Sequence, residues 1–246
     1  MPDKTTSPLA GRISLWIKDR VDAAKADGVV FGMSGGIDSS VVAVLAKMAV
    51  GRKALGLLLP CHSSPDSEEH ARMVARKFSI DTVTVDLTSV HDEMVRQIPD
   101  GEGMAMVNLR PRLRMTALYY YGNLYGKLVL GTSNKSERLI GYFTKWGDGG
   151  ADIQPIADLY KAQIRQLAED LDMPREIIEK PPTADLWAGQ TDENELGLTY
   201  EELDKILAAL ETGKVGGLDL QNVQKVKSLI AQSEHKRSPV PVFRDE

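Results

Sequence analysis

The run Ser34-Gly35-Gly36-Ile37-Asp38-Ser39-Ser40 packs two glycines, three serines and a carboxylate into one short segment. Glycines let a backbone turn sharply and approach a ligand closely, and a helix opening behind them presents unpaired amides to an anion. The segment lies between the β-rich Val29-Val30-Phe31 and the apolar helical stretch Val41 to Val50, at a strand-to-helix junction. Phosphate binding suits that position; a tight turn capped by serines suits it too. No Gly-Lys-Ser/Thr follows at Walker A spacing and no GxGxxG is present, which removes the usual P-loop and dinucleotide-fold readings. Gly32-Met33-Ser34-Gly35-Gly36 does match the GxSxG of a nucleophile elbow, with His235 late enough for the triad's order. That serine-hydrolase reading lacks the preceding strand and the HGG-type segment that supply the second oxyanion-hole donor.

Alternating strands and helices must position this loop. Ile13, Trp16, Ile17, Val21 and Ala24 recur at helical spacing and stop near Gly28. The strand Val29 to Phe31 and the helix Val41 to Val50 follow, closed by Gly51. The cycle repeats with a strand Ala54 to Leu59, a helix from Ser67 to Phe78 and a strand Thr82 to Leu87. A helix from Pro111 to Tyr125 and a strand from Lys127 to Gly131 complete it. This order predicts an α/β fold with a doubly wound, mostly parallel sheet whose ligands gather at the carboxyl ends of the strands. Beyond Gly131 the chain becomes a loop-rich helical C-terminal extension, with helices near 158–171 and 199–211 broken by Trp146-Gly147-Asp148-Gly149-Gly150 and Pro181-Pro182. No repeat or linker divides it, so residues 1–246 are expected to form a single domain, with 174–198 as a candidate lid.

Composition narrows the function classes. The 246 residues are 42% hydrophobic and 26% charged, an ordinary globular balance. Thirty basic against thirty-five acidic side chains give a net charge of -5, and no broad basic patch invites nucleic acid. Cys61 is the single cysteine, which removes internal disulfides and CxxC zinc or redox sites and fits a reducing, cytoplasmic location. Cys61 and His62 are neighbours expected on opposite faces of a strand, so they read as a buried thiol and an unrelated imidazole. No apolar leader is seen, and Val41 to Val50 and Ala54 to Leu59 fall short of the roughly 20 residues that span a bilayer.

SGGIDSS resembles the pyrophosphate-binding loop of the ATP pyrophosphatase (PP-loop) superfamily. Later segments resemble one family within it, the ammonia-dependent NAD synthetases. These are Gly131-Thr132-Ser133-Asn134-Lys135-Ser136-Glu137, the run from Gly141-Tyr142-Phe143-Thr144-Lys145-Trp146 to Asp152, Pro181-Pro182-Thr183-Ala184-Asp185-Leu186-Trp187, Gly189-Gln190-Thr191-Asp192-Glu193 and His235-Lys236-Arg237. The resemblance covers nearly the whole chain and implies an adenine nucleotide alpha hydrolase-like fold. It implies amidation of deamido-NAD with ammonia, driven by ATP with magnesium, through an acyl-adenylate that releases pyrophosphate and then AMP. The family's homodimer is implied as well.

Carried over residue by residue, the resemblance assigns ATP binding to Gly32, Met33, Ser34, Gly35, Gly36, Ile37, Asp38, Ser39, Thr132, Lys161 and Thr183. It assigns magnesium to Asp38 and Glu137, and deamido-NAD to Arg112, Lys145, Asp152, His235 and Lys236. None is required as a general acid or base, because the substrate carboxylate is already ionised at neutral pH. Pro111 departs from the family pattern, in which a small residue precedes the arginine matched by Arg112. The three arginines Arg110, Arg112 and Arg114 cannot all face one side of a helix, so some are expected to be structural. Glutamine-dependent relatives carry an added glutaminase domain for which this chain has no room, which makes free ammonia the expected nitrogen donor. The helix Pro111 to Tyr125, with Tyr119, Tyr120 and Tyr121, is a candidate interface.

Overall fold

The computed structural model describes residues 7–98, 103–183 and 189–244. Its elements are α1 (Pro8–Ala24), β1 (Gly28–Gly32), α2 (Ile37–Val50), β2 (Ala54–Leu58), α3 (Pro65–Lys77), β3 (Asp81–Thr84), α4 (Thr88–Gln97), α5 (Met104–Val107), α6 (Leu109–Leu124) and β4 (Lys127–Leu130). The C-terminal part adds α7 (Lys135–Ile140), α8 (Lys161–Asp170), α9 (Arg175–Ile178), α10 (Asp192–Leu196), α11 (Tyr200–Thr212), α12 (Leu220–Gln232) and α13 (Glu234–Arg237).

The four strands are parallel in the order β3-β2-β1-β4, with Val30 paired to Leu55 on one side and Val129 on the other. Burial explains the order. Val29, Val30 and Phe31 are fully buried, as a central strand covered on both faces requires, whereas β3 is mostly exposed and takes the edge. Val29 and Phe31 face a core built with α1, α2 and α8; Val30, Leu57 and Val129 face the opposite layer, where Leu113, Leu118 and Tyr121 of α6 cover them. A further cluster, Ile140, Leu196, Tyr200, Leu203, Leu207 and Val226, builds the helical extension around α7, α10, α11 and α12.

Strand β1 lies between β2 and β4, so the chain leaves its carboxyl end in one direction and returns beside it from the other. This switch point is where a doubly wound sheet opens a crevice for ligands. Three boundaries differ from the sequence reading. Strand β3 stops at Thr84, after which Val85 and Leu87 donate singly to the carbonyls of Leu58 and Pro60. Helix α6 starts at Leu109, placing Pro111 in its first turn, where a missing amide costs nothing. Cys61 lies beyond β2 in a loop, fully buried, with its thiol toward the Leu87 carbonyl. Of the stretch 174–198, residues 184–188 lie outside the described residues; Ile177 is buried in the first core and Leu196 in the extension.

Candidate active site

Strand β1 ends at Gly32 and passes through a short loop into α2, where no side-chain cap hydrogen bond is made by the N-cap residue Gly36, a helix start of the kind that presents amides to a ligand. The loop is held by its own serines. The Ser39 hydroxyl donates to the Gly36 carbonyl at 3.0 Å and pairs with the Ser34 hydroxyl at 2.9 Å, and the Ser40 hydroxyl donates to the same carbonyl at 2.8 Å. The Gly36 amide donates to Ser34 Oγ at 3.3 Å. Ser34 is thus engaged inside its own loop, with no histidine bonded to it among the described residues to serve as the base of a nucleophile elbow. Gly35 has φ +75°, and a Cβ there would lie 2.2 Å from the Ser67 carbonyl oxygen. It is therefore a packing requirement against α3 and does not line the cleft, unlike Gly32, Met33, Ser34, Gly36, Ile37, Asp38 and Ser39.

The second strand end, β4, leads through Thr132 to Asn134 and α7. Asn134 and Glu137 form a reciprocal capping box: Asn134 Oδ1 accepts from the Glu137 amide at 2.9 Å, and Glu137 Oε2 accepts from the Asn134 amide at 3.4 Å. Asn134 Nδ2 also donates to Asp38 Oδ1 at 3.0 Å, so one residue orients both carboxylates, that of Asp38 through its side chain and that of Glu137 through its backbone amide. Between them sits the Lys161 ammonium, only 2% exposed as a residue, bonded to Asp38 Oδ2 and to Glu137 Oε1, the latter at 3.3 Å. It also lies 4.8 Å from the ring centre of Tyr200, whose hydroxyl reaches Asp192 Oδ2 at 3.0 Å and Glu137 Oε1 at 3.3 Å.

Lys161 is the first residue of α8, and buried groups fix that helix start. The Lys161 amide donates to Ser136 Oγ at 3.1 Å, Ser136 donates to Asp204 Oδ1, and the Ala162 amide donates to Asp204 Oδ2 at 2.9 Å. A carboxylate at a helix N-terminus also complements its dipole. The electrostatics follow from burial. Desolvation pushes the Glu137 carboxyl up to about 7, against the pull of Lys161, and the Asp38 and Asp192 charges add to the rise. Burial likewise raises Asp192. Burial alone would weaken the Lys161 ammonium, but Asp38 and Glu137 outweigh it and hold Lys161 above the usual lysine range.

These groups line one cleft of about 590 Å³ at the carboxyl ends of β1 and β4, together with Thr132, Thr183, Arg112, Lys145, His235 and Lys236. The basic C-terminal segment is built in. Lys236 donates to the carbonyls of Gly141 and Phe143 at 2.7 and 2.8 Å, Lys145 donates to the His235 carbonyl at 2.5 Å, and Arg237 donates to the Leu139 carbonyl at 2.8 Å. Of the arginine cluster, Arg112 and Arg114 both line the cleft; Arg112 is exposed, while Arg114 is tied into the wall, donating to the Leu59 carbonyl at 3.1 Å and Ser63 Oγ at 3.0 Å. Asp152 stands apart. Its carboxylate accepts from the Val129 amide at 2.8 Å and the Tyr119 hydroxyl at 3.0 Å, and it borders a separate shallow depression beside Ala24 and Gly126.

The sequence reading gave no individual role to Asn134, Asp192, Tyr200 or Asp204. Asn134 had a signal, since Asn-x-x-Glu at a helix start is a capping pattern. Tyr200 and Asp204 share a helix face, but nothing in the chain order ties that face to a loop far upstream.

The model of the NAD synthase family matches residues 9–240. The chain belongs to the NAD synthase family. The NH(3)-dependent NAD(+) synthetase of Finegoldia magna is 46% identical over 92% of this chain and 91% of its own length. That of Methanocaldococcus jannaschii is 44% identical over 95% of both chains. Among solved structures, the NMN synthetase of Francisella tularensis superposes with a TM-score of 0.90 at 33% identity, covering 99% of this chain and 100% of that one. The NH3-dependent NAD synthetase of Campylobacter jejuni does so at 0.85 and 29%, covering 98% and 100%. For this family member the parallel sheet and its helical extension are thus the shared fold, and no helix among the described residues is long and apolar enough to cross a membrane.

Proposed function

We propose that this protein is an ammonia-dependent NAD synthetase, converting deamido-NAD, ATP and ammonia to NAD, AMP and pyrophosphate. The observation that carries the reading is the buried Asp38–Lys161–Glu137 cluster beside the Ser34 to Ser39 loop, at one strand switch point of an NAD synthase fold. A carboxylate oxygen of the nicotinate ring attacks the α-phosphorus of ATP, and the bond to the β-phosphate bridging oxygen breaks as pyrophosphate leaves. Ammonia then adds to the acyl carbon of the adenylate; the C–O bond to AMP breaks and the excess proton passes to water.

Residues of the chain serve these steps. The amides at the start of α2 and the serines of the loop hold the departing pyrophosphate. Lys161 supplies a fixed positive charge to the phosphates, and Thr132 and Thr183 orient ATP. Arg112, Lys145, His235 and Lys236 border the end of the cleft assigned to deamido-NAD. Asp152, outside that cleft, serves deamido-NAD only if the dinucleotide extends across a subunit boundary, which ties its role to a homodimer. The donor set suits magnesium: two hard carboxylates, Asp38 and Glu137, converge on a single ammonium, Asp192 stands beside them on the Tyr200 hydroxyl, and burial leaves Glu137 short of cationic charge. Held by Asp38 and Glu137, the ion would neutralise the triphosphate. One domain across residues 1–246, closure by 174–198 and a cytoplasmic location complete the reading.

The test is direct. Purified protein is mixed with magnesium, ATP, deamido-NAD and ammonium, and AMP and NAD are followed; parallel reactions replace ammonium with glutamine, or deamido-NAD with its mononucleotide counterpart. AMP and NAD formed together with ammonium, and preference for the dinucleotide, are expected. AMP formed only with the mononucleotide would reassign the substrate. Asp38→Ala and Glu137→Ala, folded by circular dichroism, are expected to lose AMP release; full activity in both would remove the metal assignment.

A further inference from the structure

A second cluster of metal-type donors lies outside the cleft. His62 follows β2 in the loop that holds Cys61, and His91 and Asp92 are consecutive on α4. His62 Nε2 lies 2.6 Å from Asp92 Oδ1, and His91 Nδ1 lies 3.2 Å from that same oxygen. All three donor atoms fall within 4.8 Å of one another, and the two imidazoles meet edge to face at 5.3 Å. Ligand atoms about 2.0–2.1 Å from a tetrahedral zinc ion stand roughly 3.4 Å apart, so small side-chain rotations bring this trio to the required spacing.

We propose that His62, His91 and Asp92 form a binding site for a divalent late transition metal of the Zn2+ class. The chemistry favours such an ion over Mg2+ or Ca2+, because two of the three donors are imidazole nitrogens. In the metal-free arrangement both imidazoles direct a nitrogen at one carboxylate oxygen. Metal binding replaces those contacts, with each ring keeping its proton on the opposite nitrogen and water filling the remaining position. His62 is the residue that makes this possible: its φ of +52°, unusual for a non-glycine side chain, accompanies a loop that carries the ring onto α4. His91 is largely buried, which gives the site one rigid ligand, while His62 and Asp92 are open enough to admit an ion. The adjacent Ser63 lines the reaction cleft and accepts from Arg114, so a metal here would clip the cleft's β2–α3 wall to α4.

Tag-free protein, stripped by chelator and saturated with magnesium and ATP to occupy the reaction site, is titrated with Zn2+ against a chromophoric chelator and, separately, with Co2+. One equivalent of tight Zn2+ uptake is expected, with the visible absorption of low-coordinate Co2+ bearing nitrogen ligands. His62→Ala, an exposed loop change that leaves the core intact, and Asp92→Asn are each expected to weaken uptake at least about tenfold. His91→Ala is a third arm, checked for folding. Zn2+ should also raise the unfolding temperature of the wild type and not that of His62→Ala. Absence of stoichiometric uptake, or uptake unchanged in both His62→Ala and Asp92→Asn, would overturn the site.

Discussion

Asp204→Ala gives the sharpest test of how the site is held together. Asp204 is 8% exposed and Ser136 fully buried, and the carboxylate accepts two hydrogen bonds at the start of α8, from the Ser136 hydroxyl and the Ala162 amide. A bond to a charged group contributes about 1.5–3 kcal/mol, so removing both predicts a loss of up to about 3–6 kcal/mol, with the buried Ser136 hydroxyl left unsatisfied and the amide of the exposed Ala162 left to water. That is a large fraction of a typical total of about 5–15 kcal/mol. Asp204→Asn keeps the shape and one acceptor for the Ala162 amide, but its amide group faces Ser136 as a donor. The Ser136 proton then loses its acceptor, for a smaller cost of about 1–3 kcal/mol. Urea unfolding followed by circular dichroism measures both, with the ordering Ala worse than Asn. Because Ser136 Oγ also receives the Lys161 amide, loosening it displaces the ammonium, and the KM for ATP is expected to rise several-fold in Asp204→Asn, which remains folded. If Asp204→Ala unfolds within about 1 kcal/mol of wild type and Asp204→Asn leaves the KM unchanged, Asp204 does not organise the site.

Three further outcomes are expected. Gly35→Ala forces a side chain into a left-handed backbone and onto the Ser67 carbonyl, so it should destabilise by more than 1–2 kcal/mol, as thermal unfolding will register, and weaken ATP binding. Glu137 has a folded pKa of about 7, above its unfolded value, so the native state binds the extra proton; its contribution to stability therefore falls as pH rises from about 4.5 to 7. Glu137→Gln should flatten that decline, seen as an unfolding temperature that improves relative to wild type between pH 5 and pH 7.5. Cys61 is fully buried and burial pushes its thiol up, so alkylation by iodoacetamide should be slow in the native protein and fast in denaturant.

Much of the candidate site is legible in the sequence because it is local. Ser34 to Ser40 is continuous in sequence, and a glycine-rich turn between an apolar strand and an apolar helix can form only a few structures, all of which expose amides. Lys161 and Glu137 were reachable only through resemblance, since a single lysine or glutamate has no periodic signature. Asp192, Tyr200 and Asp204 were left without roles because their work depends on contacts across the fold. Gly35 and Asp152 carry contacts that no motif shows: the fold sets one against α3 and ties the other to Val129 and Tyr119. In the arginine cluster both Arg112 and Arg114 line the cleft, but only the fold shows that Arg114 is bonded into its Leu59–Ser63 wall while Arg112 stays exposed.

By itself the sequence determined the alternation of strands and helices, the placement of the glycine-serine loop at a strand end and the family to which the chain belongs. Each follows from interactions spanning a few residues: side-chain periodicity, turn chemistry and the pairing of a cap with its helix. Tertiary structure decided which charges meet. Asp38 and Lys161 lie 123 positions apart and touch, because parallel strands β1 and β4 bring α2 and α7 to one edge and α11 anchors the start of α8 against them. Coulombic and desolvation energies depend on distance through space and on burial, and neither is encoded by neighbours along the chain.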